Sequence, residues 1–115
     1  MAKAELEFHR PDDSRWEKLN DKGPGVYQKI LTHDAESGNY TRLFRFEPGA
    51  DLREGGVLTH EHWEEVWIIE GSLTDLSLGK TFLAGSYACR PPGMKHGPYR
   101  SDDGALMFEV RYYLK

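Results

Sequence analysis

The chain has 115 residues, enough for one domain with a single core. Its hydrophobic content of 38%, charged content of 30% and net charge of −4 exclude a disordered chain and a non-specific nucleic-acid binder, which needs a basic face. No apolar run is long enough to span a bilayer, and the one cysteine, Cys89, closes no internal disulfide, so the expected location is the cytoplasm.

Residues 1–24 read as a mostly irregular N-terminal arm that carries no leader-like apolar stretch and ends at "KGPG". Residues 25–115 read as the domain proper. Short segments rich in β-branched and aromatic residues predict strands over 26–32, 40–46, 57–60, 65–70, 73–78, 87–90 and 105–113. Between them stand turn signals such as "HDAESGN", "EPGA", "LGK", "LAGS", "PPGMKHGP" and "SDDG". Many short strands with no helical periodicity predict an all-β sandwich or barrel.

Two strands alternate clearly enough to assign faces. In "TRLFRF", Arg42, Phe44 and Phe46 share one face and Leu43 and Arg45 the other. In "ALMFEVRYYL", Leu106, Phe108, Val110 and Tyr112 alternate with Met107, Glu109, Arg111 and Tyr113. Arg45, Glu109 and Arg111 are expected to point outward, the alternative being that they line a pocket mouth. Cys89 is expected to be a buried packing thiol on the face of Tyr87. Glu65 is expected to face outward, with Trp63 and Trp67 in packing contacts.

The chemistry gathers in two stretches. "GVLTHEHWEEVWIIEG" places His60, His62, Glu64 and Glu65 within six positions, and "GSYACRPPGMKHGPYR" places His96 just after a rigid Pro-Pro-Gly turn. The second stretch resembles the second conserved motif of the cupins, G-x5-P-x-G-x2-H-x3-N, departing from it only where Arg100 replaces the final Asn. The first stretch is similar to the upstream cupin motif, G-x5-H-x-H-x3,4-E-x6-G, with Glu64 and Gly71 at the family's spacing. There the register puts one family histidine on His60 and the other on Leu58, which binds no metal, while His62 is additional. The leading glycine is out of register as well. The chain looks most like small single-domain cupins, among them acetylacetone-dioxygenase-like enzymes and anti-sigma-factor cupin domains.

That resemblance implies a cupin-type jelly-roll β-barrel, a single domain with an N-terminal arm. On one continuous strand residues 60, 62 and 64 would span roughly 13 Å, too far to share an ion, so a turn over residues 61–63 is expected to bring His60 opposite Glu64. The candidate metal ligands are then His60, Glu64 and His96, with His62 as a candidate fourth. Two imidazoles and a carboxylate suit Zn, Fe, Mn or Ni. Arg45, Tyr87, Tyr99 and Arg100 are the candidate substrate-binding residues. Two functions remain open: a metal-dependent, dioxygenase-like enzyme on a small organic molecule, or a non-catalytic binding or sensing module with a structural or absent metal. A homodimer is expected from the number of aromatic residues (Trp16, Trp67, Tyr112, Tyr113) for so small a core.

Overall fold

The computed structural model describes residues 3–11 and 16–114, so residues 12–15 of the expected arm lie outside the described residues. Among the described residues nine strands follow one another: β1 (Glu17–Lys18), β2 (Val26–His33), β3 (Tyr40–Phe46), β4 (Ala50–Asp51), β5 (Trp63–Asp75), β6 (Lys80–Leu83), β7 (Tyr87–Arg90), β8 (Tyr99–Ser101) and β9 (Ala105–Tyr112). No α-helix occurs among the described residues; a 3-10 turn at Arg53–Gly55 is the one helical element between strands. Among the described residues no helix is long and apolar enough to cross a membrane.

All pairings are antiparallel and generate a curled, two-sheet jelly roll. One sheet runs β1-β2-β3-β9-β5-β7, and the other joins β4, β8, β6 and the far half of β5. Strand β5 therefore belongs to both. It crosses between them at Gly71, where φ is +80° and an added Cβ would collide with the carbonyl oxygen of Gly104. Only glycine fits there.

The sequence segments 65–70 and 73–78 are thus one strand broken by a bend, not two strands. The expected strand at 57–60 shrinks to a single bridge between Leu58 and His96. Strands β1, β4, β6 and β8, each two to four residues long, carry too few positions for alternation to show. Within the arm, β1 pairs with β2, and Trp16 packs beneath the cations of Lys29 and Arg45, at 4.7 and 5.1 Å from its ring.

Cross-strand register shows what the first sheet presents inward. One row is apolar: Phe44, Met107 and Ile68 lie side by side on β3, β9 and β5. The next holds Arg42, Glu109, Val66 and Ala88, and the next Tyr40, Arg111, Glu64 and Arg90. The inner wall grades from hydrocarbon to charge along the strands. Val26, Phe46, Ala50, Leu73, Tyr99 and Ala105 complete the buried core.

This register corrects two expectations. Glu109 is 1% exposed and Arg111 also turns inward, whereas Arg45 does face out. Glu109 tolerates burial because Arg42 grips both its oxygens at 3.0 Å and Arg111 Nε donates to Oε1 at 2.7 Å. Burial pushes its carboxyl up, but the two guanidiniums outweigh that and hold it below the usual value. Cys89, expected to be buried, is exposed. It shares a face with Tyr87, as expected, but that face is the outer one. The outer surface bears the apolar row Leu43, Phe108, Trp67 and Tyr87, and Glu65 beside it accepts hydrogen bonds from the hydroxyls of Tyr87 and Tyr112.

Candidate metal centre

Three segments converge at the charged end of the inner wall. Glu64 is the second residue of β5 and faces inward between Arg111 and Arg90. His60 lies just before the bend at residues 61–62, and the bend swings its ring back over Glu64. His96 follows the Pro-Pro-Gly turn, in which Gly93 adopts φ +85°. Backbone hydrogen bonds tie the two histidine segments together: Leu58 N–H to His96 O at 2.7 Å, His96 N–H to Leu58 O at 2.9 Å, and Gly93 N–H to His60 O at 2.8 Å.

His60 Nε2 lies 3.5 Å and His96 Nε2 3.8 Å from Glu64 Oε2. One donor atom from each of the three residues lies within 4.8 Å of the other two. His62 stands outside this trio. Its ring stacks on that of His60, with centroids 4.5 Å apart, and meets Tyr113 edge-on. Leu58, at the position of a family ligand, packs against the core instead.

Glu64 Oε2, His96 Nε2 and His62 Nε2 are buried without a hydrogen-bond partner. Leaving such atoms unpaired costs about 1–3 kcal/mol each, and a shared cation would satisfy acceptors of this kind together. Burial, followed by the nearby Arg90 and His60, lowers His96 to about 4; burial and Arg111 lower His62 to about 4. His60 is lowered too, chiefly by burial. Neutral imidazoles offer lone pairs, which is the form a metal takes. Burial and the charge of Glu109 raise Glu64, so its carboxylate gains by meeting a cation. The donor set fits a divalent metal.

Tyr99 supports His96 from behind. Its hydroxyl lies 2.8 Å from His96 Nδ1. Burial raises the Tyr99 phenol, which stays neutral, and the tautomer that donates from Nδ1 to the phenol oxygen leaves Nε2 as the lone pair. Tyr99→Phe is expected to weaken zinc binding about 10- to 100-fold while leaving one equivalent bound at saturation, as read by competition with a chromophoric chelator. An unchanged affinity would remove Tyr99 from this role.

Of the other candidate residues, Tyr87 sits at the rim of a cavity of about 440 Å³ that reaches His96. Arg45 lies on the outer face, over Trp16 and Tyr27, because its parity in β3 opposes that of Arg42. Arg100, whose Nε donates to Asp102 at 3.0 Å, does not line this cavity either. Arg90 was not singled out by the sequence, yet its guanidinium lies 3.5 Å from Glu64 Oε1 and also lines the cavity. Its signal is the β5–β7 register, which pairs it with Glu64 and which the sequence does not display.

A two-sheet jelly roll that brings a histidine–glutamate cluster from the strand after one turn together with a histidine from a Pro-Gly turn defines a cupin. The chain belongs to the family of ChrR cupin-like domains, whose profile matches residues 5–114. Solved structures agree on the fold. An RmlC-like cupin from Shewanella frigidimarina superposes with a TM-score of 0.72 at 22% identity, covering 100% of this chain and 96% of that one. A putative acetylacetone dioxygenase from Methylibium petroleiphilum gives a TM-score of 0.72 at 18% identity, covering 100% and 85%. The structure of Rhodobacter sphaeroides SigE in complex with the anti-sigma ChrR matches with a TM-score of 0.65 at 22% identity, over 88% of this chain and 51% of that one. No curated sequence matches the chain.

Proposed function

We infer that the protein binds one divalent metal ion through His60, Glu64 and His96, and acts on a small organic molecule in the adjoining cavity, most simply as a dioxygenase-like enzyme. The observation that carries this reading is the pair of unpartnered buried atoms, Glu64 Oε2 and His96 Nε2, beside a cavity lined by His96 itself. A bound ion supplies Lewis acidity and, if redox-active, oxygen activation. The chain's part is to hold the ion on neutral imidazoles, to fix His96 through Tyr99, and to seat the molecule against the apolar side chains of Val66, Ile68 and Leu73. The likeness to the putative acetylacetone dioxygenase supports this reading at the level of the fold.

A second reading, a non-catalytic sensing module, is favoured by one observation. The buried, unpartnered Nε2 of His62 is a fourth donor next to His60, and four protein ligands close a site to substrate. The solved complex of ChrR with SigE lends this reading a precedent among similar folds. Metal analysis of protein purified without added metal, followed by oxygen uptake on a panel of diketones and catechols, decides between them. One equivalent of metal with substrate-dependent oxygen uptake is the expected result. Bound metal with no uptake on any member would leave the sensing module, and no metal at all would end both metal-based readings.

A further inference from the structure

We propose that the cavity beside the metal centre selects an apolar monocarboxylate, an aryl or branched alkyl acid, with its carboxylate on Arg90 and its body along Val66, Ile68 and Phe82. This deepens the reading above, since it names the ligand class of the same site.

The cavity has the shape of its strands. Inward positions of β5 and β7 pair as Glu64 with Arg90 and Val66 with Ala88, and the backbone of Ile68 then bonds Ser86. Along this wall the surface passes from a guanidinium to hydrocarbon within four residues, roughly 13 Å. Leu73 faces it from the second sheet, and Phe82 and Met94 flank the opening. A volume of about 440 Å³ falls within the range of small-molecule sites, about 300–1,000 Å³.

Charge decides the head group. The inner wall carries the guanidiniums Arg42, Arg90 and Arg111 against the carboxylates Glu64 and Glu109. The cavity itself adds Lys95 and Asp75, whose carboxylate already accepts from the backbone N–H groups of Ser77, Leu78 and Gly97, so the positive charges still exceed the negative by one. Arg42 is fully committed: it makes three contacts with Glu109, donates to Gln28 at 2.7 Å and stacks 4.0 Å over Phe44. Arg111 is held by the same Glu109. Arg90 differs. Its contact with Glu64 is a single long one of 3.5 Å, its guanidinium also meets the hydroxyl and ring of Tyr99, and with five N–H donors it keeps capacity for a ligand where it lines the cavity. Any divalent ion on the trio adds to the positive surplus. A neutral ligand leaves that surplus uncompensated beside an apolar wall, whereas a carboxylate answers it with the bidentate geometry that arginine favours.

The test uses 3-phenylpropionate, its uncharged analogue 3-phenylpropanamide, and acetate, titrated by calorimetry into the whole protein with and without one equivalent of zinc. The aryl acid should bind at least about tenfold more tightly than either the amide or acetate, in both states. Arg90→Gln should bring the acid down to the level of the amide and leave the amide unchanged. Phe82→Ser, at an exposed position, should weaken acid and amide alike. Equal binding of acid and amide, a preference that survives Arg90→Gln, acetate binding as well as the aryl acid, or no binding of any probe would overturn the proposal. Zinc equivalents measured on the same samples keep the two readings apart. Protein that takes zinc without acid preference sinks this proposal alone, and protein that takes none but keeps the Arg90-dependent preference sinks the metal site alone.

Discussion

Glu109→Ala should lower the unfolding free energy by about 3–5 kcal/mol, the largest single loss of stability expected from any charged residue in the chain. The side chain is almost wholly buried and receives three contacts from Arg42 and one from Arg111. Truncation leaves both guanidiniums in the inner wall without their shared anion, and an uncompensated buried charge costs more than the lost pair contributed. A domain of this size holds about 5–15 kcal/mol in total, so the variant stands near its folding limit. Glu109→Gln provides the control, because it keeps the volume and one acceptor while removing the charge. It should lose less than the alanine variant but still more than about 1 kcal/mol. Urea unfolding followed by tryptophan fluorescence measures both. A loss below 1 kcal/mol in Glu109→Ala would mean that water reaches the two arginines and that the inner wall is wetter than its burial indicates.

His96→Ala should abolish stoichiometric metal binding, with affinity falling by more than about a hundredfold, beyond what loss of an outer hydrogen-bond partner causes. The backbone there is held by the paired bonds to Leu58 and by the bond from Gly93 to His60, so the turn should persist without the imidazole. An unchanged circular-dichroism spectrum with no bound zinc is the expected pair of results. His60→Ala should lose metal to the same degree, because its Nε2 lies nearer Glu64 Oε2 than that of His96 does. His62→Ala should weaken binding without ending it, since His62 stands outside the trio. If His62 were essential and His60 dispensable, the ion would sit on the other face of the stacked pair. Full metal occupancy in His96→Ala would show that the Pro-Gly turn does not carry a ligand.

How far the residues themselves foretell this arrangement depends on how local each determinant is. The strands over 26–32, 40–46 and 87–90 are legible because turn residues bracket short β-rich runs, and they match β2, β3 and β7 closely. His96 is legible because its turn is written in adjacent residues. The parity within β9 is legible, but not which parity faces inside. Hydrophobicity favours Leu106, Phe108 and Val110, whereas the interior takes Met107, Glu109 and Arg111, since the opposing arginine on β3 makes a charged inner row tolerable. That choice depends on a partner 67 positions away, which no local pattern encodes. The role of Arg90 is illegible for the same reason, and the continuity of β5 through Gly71 does not show in the sequence because a glycine ordinarily ends a strand.

The long strand β5 also sets how the molecule opens. It pairs with β9 and β7 in one sheet and with β6 and β8 in the other, with no break in the chain between its two halves. Neither sheet has a seam along which it could detach while the other stays intact. Amide protons from Val66 on one side of the bend to Thr74 on the other should therefore exchange with solvent through one shared opening, at close to the same protection. The edge strands β1 and β4, each paired along one side over two residues, should exchange far sooner. Of the donor trio, only Glu64 is rooted in this strand; His60 and His96 sit in segments joined by the single Leu58–His96 bridge and the Gly93–His60 bond, so a local opening of those two segments can part the trio while the sheets stay closed.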